Sequence, residues 1–194
     1  MSKIALGTTQ FGIDYGINST SGQVKYREVV EILNYARTQN IGLLDTAPDY
    51  GNSEQVLGDA NTQDFKIVTK TRHFNQSVIG DKEANLVTSD LIQSLKSLKQ
   101  KSVYGVLVHN AGDLLKSGAD KLFKQLQILK QQGFISKIGV SIYTGSQLQK
   151  VLDRFSIDIV QLPFNILDNR LINSGILYEI HNQGIEVHTR SVFL

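Results

Sequence analysis

Short apolar runs and longer amphipathic stretches alternate from one end of this sequence to the other, and that alternation restricts the fold more than any other feature. Ile4–Leu6, Ile41–Leu44, Lys66–Lys70, Val103–Val108, Lys137–Ser141, Ile157–Leu162 and Ile185–Val192 have the length and apolar content of buried strands. Between them lie stretches of helical period. Lys25–Gln39 carries Val29, Val30, Ile32, Leu33 and Ala36 on one side, and Lys82–Leu98 carries Leu86, Leu91, Leu95 and Leu98. Asn52–Asp59, Leu114–Gln132 (stopped at Gly133), Gln147–Phe155 and Ile172–Asn182 (ended near Gly184) complete the helical set. Residues 7–22, rich in Gly, Ser, Thr and Asn, predict a loop. Strands and helices in strict alternation predict a parallel α/β sheet with helical crossovers. No low-complexity linker interrupts the rhythm, so the 194 residues are expected to form one domain, 1–194.

Two parallel architectures compete for this pattern. A doubly wound nucleotide-binding sheet carries a glycine-rich turn after its first strand, yet neither G-x-G-x-x-G nor G-x-x-x-x-G-K-[ST] occurs. The polar residues at strand ends are instead spread over many strands: Asp45, Lys70, His109, Ser141, Gln161 and Arg190. In an open sheet, ligands gather at one switch point, whereas a β/α barrel builds its site from the C-terminal ends of all its strands. A TIM-type β/α barrel is therefore the predicted fold. The stretch from Ile41 to Glu54 shows the logic best, because an apolar strand runs into Asp45, turns through Pro48, Gly51 and Asn52, and re-enters a helix that Asn52 or Ser53 is expected to cap. Asp45 and Tyr50 are thus the first candidates for chemistry.

Composition removes several classes of function. A net charge of +2 with both signs interleaved offers no footprint for nucleic acid or for an anionic membrane surface. With no cysteine, there is no disulfide, thiolate nucleophile or Cys-ligated metal. The opening Met-Ser-Lys-Ile-Ala-Leu enters a strand at once, and no signal peptide or apolar membrane span is evident, so a cytoplasmic location is expected.

Leu6-Gly-Thr-Thr-Gln-Phe-Gly12, Leu44-Asp-Thr-Ala-Pro-Asp-Tyr-Gly-Asn-Ser-Glu54, Lys70 after Ile-Val-Thr, His109 after Val-Leu-Val, and Ile138-Gly-Val-Ser141 resemble the aldo-keto reductases, in the order that family uses. The resemblance implies an eight-stranded β/α barrel, NADPH bound without a Rossmann motif, and an aldehyde or ketone substrate. It also implies a catalytic set of Asp45, Tyr50, Lys70 and His109, and a cofactor set of Gly7, Thr8, Asp45, Ser141, Gln161, Arg190 and Ser191. The chemistry accounts for the residue types. Hydride addition to a carbonyl builds negative charge on oxygen, and an acid must deliver a proton as that charge develops. Tyrosine is too weak an acid unless a buried ammonium favours its phenolate, and a buried ammonium needs a carboxylate to keep it charged. By resemblance, Tyr50 is the acid, Lys70 the ammonium, Asp45 its partner, and His109 orients the carbonyl.

The sequence departs from that family in three places. Ile142 follows Ser141 where Asn is common, and Arg190 stands where an aromatic ring often stacks on the nicotinamide, a role a planar guanidinium can also fill. The run Arg190-Ser-Val-Phe-Leu is closer to a branch found with bacterial sugar and cell-envelope enzymes, which favours a sugar-related carbonyl substrate. The chain ends just after its seventh strand, whereas a β/α barrel needs about 250 residues and eight strands. An incomplete barrel is therefore expected, with weak NADPH binding and self-association through its open edge. Two rival functions follow from the same residues: a catalytically inactive cofactor-binding or interaction module, and a lyase in which Lys70 forms a Schiff base.

Overall fold

Strands that are apolar on both faces have to be covered on both faces, and β3 and β6 are built that way. In the computed structural model, which describes residues 2–16 and 22–193, β3 (Lys66–Lys70) is buried at every position after Lys66 and β6 (Ile159–Pro163) is buried throughout. The remaining strands are β1 (Leu6–Gly7), β2 (Leu43–Asp45), β4 (Val103–Val108), β5 (Ile135–Ser141) and β7 (Glu186–Arg190). The seven form one sheet in the order of the sequence. β1, β2 and β3 pair in parallel, as do β5, β6 and β7. Parallel strands in chain order with helical crossovers are the wiring of a β/α barrel, and the described residues carry seven such strands. Residues 17–21 of the expected loop, and Leu194, lie outside the described residues.

The chain divides into two compact units. Met1–Arg72 with Ser89–Tyr104 forms one, and His73–Thr88 with Gly105–Leu194 the other. In the first, α2 (Tyr26–Thr38) buries Val29, Leu33 and Ala36, one per turn, and the expected Val30 and Ile32 are half-buried beside them. Asn40, at φ 56°, takes the left-handed position that ends the helix. Leu33, Leu44, Leu57 and Val68 form a fully buried core. In the second unit, Leu107, Leu122, Leu126, Val140, Ile159 and Leu162 do the same. Each such side chain contributes about 1.5–3 kcal/mol by leaving water.

The structure corrects several expected boundaries. The helix expected over Leu114–Gln132 is two helices, α5 (Ala111–Leu115) and α6 (Ala119–Gln131). Gly118 breaks it at φ 77°, where a Cβ would lie 2.1 Å from the Ile79 carbonyl oxygen, and the Ile79 N–H donates to Ser117 O at 2.9 Å. Only glycine fits that crossing. Gly175, at φ 74°, likewise divides Ile172–Asn182 into α8 (Arg170–Asn173) and α9 (Ile176–Asn182). A single helical turn, α1 (Thr9–Gly12), stands inside the expected loop. β1 starts at Leu6 rather than Ile4, β2 at Leu43 rather than Ile41, and β5 at Ile135 rather than Lys137. The other helices among the described residues are α4 (Asp81–Leu98), α7 (Gly145–Leu152) and α3 (Ser53–Asp59), the last after the second strand. Thr144 and Gln147 cap α7 with a reciprocal pair of side-chain bonds. At α3, Asn52 holds the N-cap position without a capping bond, because its side-chain oxygen accepts from Gln23 instead.

Candidate active site

Strand register places the first pair. Asp45 lies opposite Val68 in the β2–β3 ladder, so Lys70, two residues beyond Val68, projects from the same face as Asp45. The Lys70 Nζ donates to both carboxylate oxygens of Asp45 and to the Thr46 carbonyl, each at 2.9 Å. An ammonium has three donors, and all three are used. The Lys70 side chain is 1% exposed and that of Asp45 18%. Burial of a lone ammonium costs several kcal/mol, a cost that the carboxylate paired with this lysine offsets. Tyr50 faces the same nitrogen, with its ring centroid 4.7 Å from Nζ.

A tight turn carries Tyr50 to that position. The Tyr50 N–H donates to Ala47 O, and Gly51 follows at φ 59°. A Cβ on Gly12 would lie 1.7 Å from the Tyr50 carbonyl oxygen, so α1 packs backbone to backbone against the turn. Below it sit three fully buried hydroxyls. Ser53 Oγ donates to Thr8, Thr46 Oγ1 donates to Ser53 Oγ, and Thr8 Oγ1 donates to the Asp45 carbonyl. Thr8, expected among the cofactor contacts, is bonded to the end of β2 through its hydroxyl. Gly7 pairs with Asp45 across the sheet, and a Cβ there would meet nothing within 4 Å.

The second unit holds the other expected residues. His109 follows β4, half-buried, with its ring centroid 4.4 Å from that of His73 at a 41° tilt. Ser141 and Gln161 are buried partners in the β5–β6 register. Pro163 pairs with Arg190 in the next ladder. The Arg190 guanidinium donates to Ile142 O at 3.1 Å and lies 4.2 Å from the centroid of the Tyr143 ring. Ser191 is exposed at φ 56°, and its carbonyl accepts from Asn165.

Strand-end residues of this kind on a parallel sheet in chain order match a known group of enzymes. The aldo/keto reductase family matches residues 3–194. The chain belongs to that family. An uncharacterised oxidoreductase of Bacillus subtilis, YqkF, is 25% identical over 180 residues, which cover 88% of this chain and 58% of that protein. The chain thus spans less than two thirds of that relative. A Pseudomonas aeruginosa crystal structure assigned to the aldo-keto reductases is 27% identical, with a TM-score of 0.77, covering 95% of this chain and 71% of that one. A Bombyx mori aldo-keto reductase solved with NADP shares the fold at 21% identity and a TM-score of 0.69, covering 97% of this chain and 62% of that one.

This aldo-keto reductase chain also carries a carboxylate that sequence reasoning passed over. Glu54, in the first turn of α3, is 8% exposed and accepts from Thr69 Oγ1 at 2.7 Å. Burial pushes its carboxyl above the usual carboxylate range, while hydrogen bonds from Thr69 and Ser94 and the charge of Lys70 pull it back. Thr46 and Tyr143 are equally inconspicuous as single letters in loops, and Ser53 stands out only as a candidate helix cap. The available signal was an acid and a Ser/Thr cluster in a segment otherwise packed with apolar side chains. Among the described residues, no helix is long and apolar enough to cross a membrane.

Proposed function

We propose that this chain carries the NAD(P)H-dependent reduction of an aldehyde or ketone to an alcohol, with Tyr50 as the proton donor. The observation that carries the reading is the Lys70 ammonium, buried, saturated by Asp45 and Thr46, and set 4.7 Å from the Tyr50 ring. The reduced nicotinamide, when bound, supplies a hydride to the carbonyl carbon. Tyr50 gives its hydroxyl proton to the carbonyl oxygen, and the phenolate left behind is stabilised by the fixed positive charge of Lys70. Asp45 and Thr46 keep that charge in place. His109, by family resemblance, orients the carbonyl.

Several side chains suit a nicotinamide nucleotide. Ser141 and Gln161, buried side by side on β5 and β6, offer hydroxyl and amide groups for a carboxamide, and the flat Arg190 guanidinium offers a face for the ring. Gly7 leaves room on the face that Asp45 shares. The silkworm relative solved with NADP favours NADPH as the nucleotide. A sugar-related carbonyl compound is the preferred substrate class, and the Arg190-Ser-Val-Phe-Leu run supports it.

A Schiff-base lyase needs Lys70 to lose a proton and free its nitrogen for attack. All three donors are engaged, one of them on a backbone carbonyl, which opposes that reading. Tyr50→Phe decides the matter. In the natural protein it should lower kcat for aldehyde reduction by about 10²–10⁴-fold while leaving the Kd for NADPH unchanged, because only the proton donor is lost. Near-normal turnover in that variant would show that Tyr50 is not the acid.

A further inference from the structure

We propose that Tyr143 is a positioning residue for the nicotinamide ring, acting by locking the plane of Arg190. The inference rests on the reading above, in which Arg190 presents its face to the nicotinamide. A guanidinium on an arginine side chain has many rotamers, and a face useful to a ring ligand requires one of them to be selected before binding. Two contacts do this. One N–H of Arg190 is tied to the Ile142 carbonyl at 3.1 Å, which fixes an edge. The Tyr143 ring centroid lies 4.2 Å from Cζ, and in the proposed arrangement a ring ligand takes the opposite side of the guanidinium. Among the described residues no carboxylate pairs with Arg190, so no ion pair competes for its orientation.

The support for Tyr143 is itself rigid. Its N–H donates to Gln147 Oε1 at 2.8 Å, the same side chain that closes the capping box of α7 with Thr144. Ile142, fully buried, donates its N–H to Gln161 O at 2.9 Å, and Phe164 N–H donates to Arg190 O at 3.0 Å. The ends of β5, β6 and β7 are thereby stitched together beneath the pair. Tyr143 is 62% exposed and so lies outside the core, and its ring contact is with the Arg190 guanidinium. The stack replaces, with one side chain from the loop after β5 and one from β7, the single aromatic ring that the family resemblance places at the end of the seventh strand.

The test compares Tyr143→Phe with Tyr143→Leu by titration with reduced nicotinamide mononucleotide, which carries the ring without the adenosine half. Tyr143→Phe keeps the aromatic face and should bind as the parent does. Tyr143→Leu keeps bulk without a π-face and should bind about fivefold more weakly. In the ligand-free protein, the Nε–H proton resonance of Arg190 should carry a ring-current shift that survives in the Phe variant and disappears in the Leu variant. Equal affinity in all three proteins would overturn the role of Tyr143 and leave the cofactor reading standing. Equal weakening in both variants would overturn it too, since the aromatic face would not be what matters. Failure of the parent itself to bind the mononucleotide would overturn the cofactor reading and this inference with it.

Discussion

Asp45→Asn isolates the charge that holds Lys70. The substitution keeps the shape of the side chain and one carbonyl acceptor but removes the anion facing an ammonium that is 1% exposed. Removing one partner of a buried pair costs about 3–5 kcal/mol, mostly because the remaining charge is left without compensation. Two features moderate that here: Thr46 O continues to accept one N–H at 2.9 Å, and Asp45 is 18% exposed, so water can reach the vacated side. A loss of about 2–3 kcal/mol is expected. Lys70→Met, which removes the buried cation and leaves Asp45 able to draw on solvent, should cost about 1–2 kcal/mol. The double variant should cost less than the sum by at least about 1.5 kcal/mol, because after the first substitution the second removes an uncompensated group. Urea unfolding followed by circular dichroism measures all four proteins. A strictly additive cycle, or a loss below about 0.5 kcal/mol for Asp45→Asn, would refute the account of Lys70 as a buried cation that depends on its carboxylate.

Gly118→Ala should destabilise by about 2 kcal/mol or more, since it combines a left-handed φ of 77° with a methyl placed 2.1 Å from Ile79 O, and a thermal melt should show the drop. Glu54→Gln should change the pH dependence of stability. A carboxyl whose folded pKa is raised holds its proton longer when folded, so it lowers stability as pH rises from the unfolded value of a glutamate through the folded one. The Gln variant lacks that loss, and its stability relative to the parent should climb across that window when denaturation midpoints are compared. The 194-residue chain should self-associate with rising concentration in light scattering, because β1 and β7 stand at the two ends of the strand order, and Val187→Lys on β7 should reduce the effect.

Much of this architecture is legible in the sequence for a simple reason: in a parallel sheet, a strand covered on both faces is a continuous apolar run, and its end is where that run stops. Leu44 to Asp45 and Val140 to Ser141 are such stops, and the structure puts each at a strand terminus. What stayed hidden depends on contacts distant in sequence. Leu114, Leu122, Leu126 and Leu129 are all buried, so the helical pattern passes unbroken across Ser117-Gly118, and only the Ile79 backbone, far away in the chain, forces the interruption. The Ser-Gly pair was the local warning. Glu54 looked like an ordinary acid in the first turn of a helix, and its burial is imposed by Thr69 on the third strand and Ser94 on α4. Tyr143 is an exposed loop aromatic until Arg190, 48 positions nearer the C-terminus than its neighbour Ile142, arrives beside it.

The saturation of Lys70 has a bearing on covalent labelling. Amine-reactive reagents attack a neutral, accessible nitrogen, and most lysines of a surface meet that condition transiently at all times. Lys70 meets it only when the Asp45 carboxylate and the Thr46 carbonyl have let go together. Its acylation rate is therefore set by how often the segment that joins β2 to β3 opens, making this single amine a chemical clock for the local breathing of that segment.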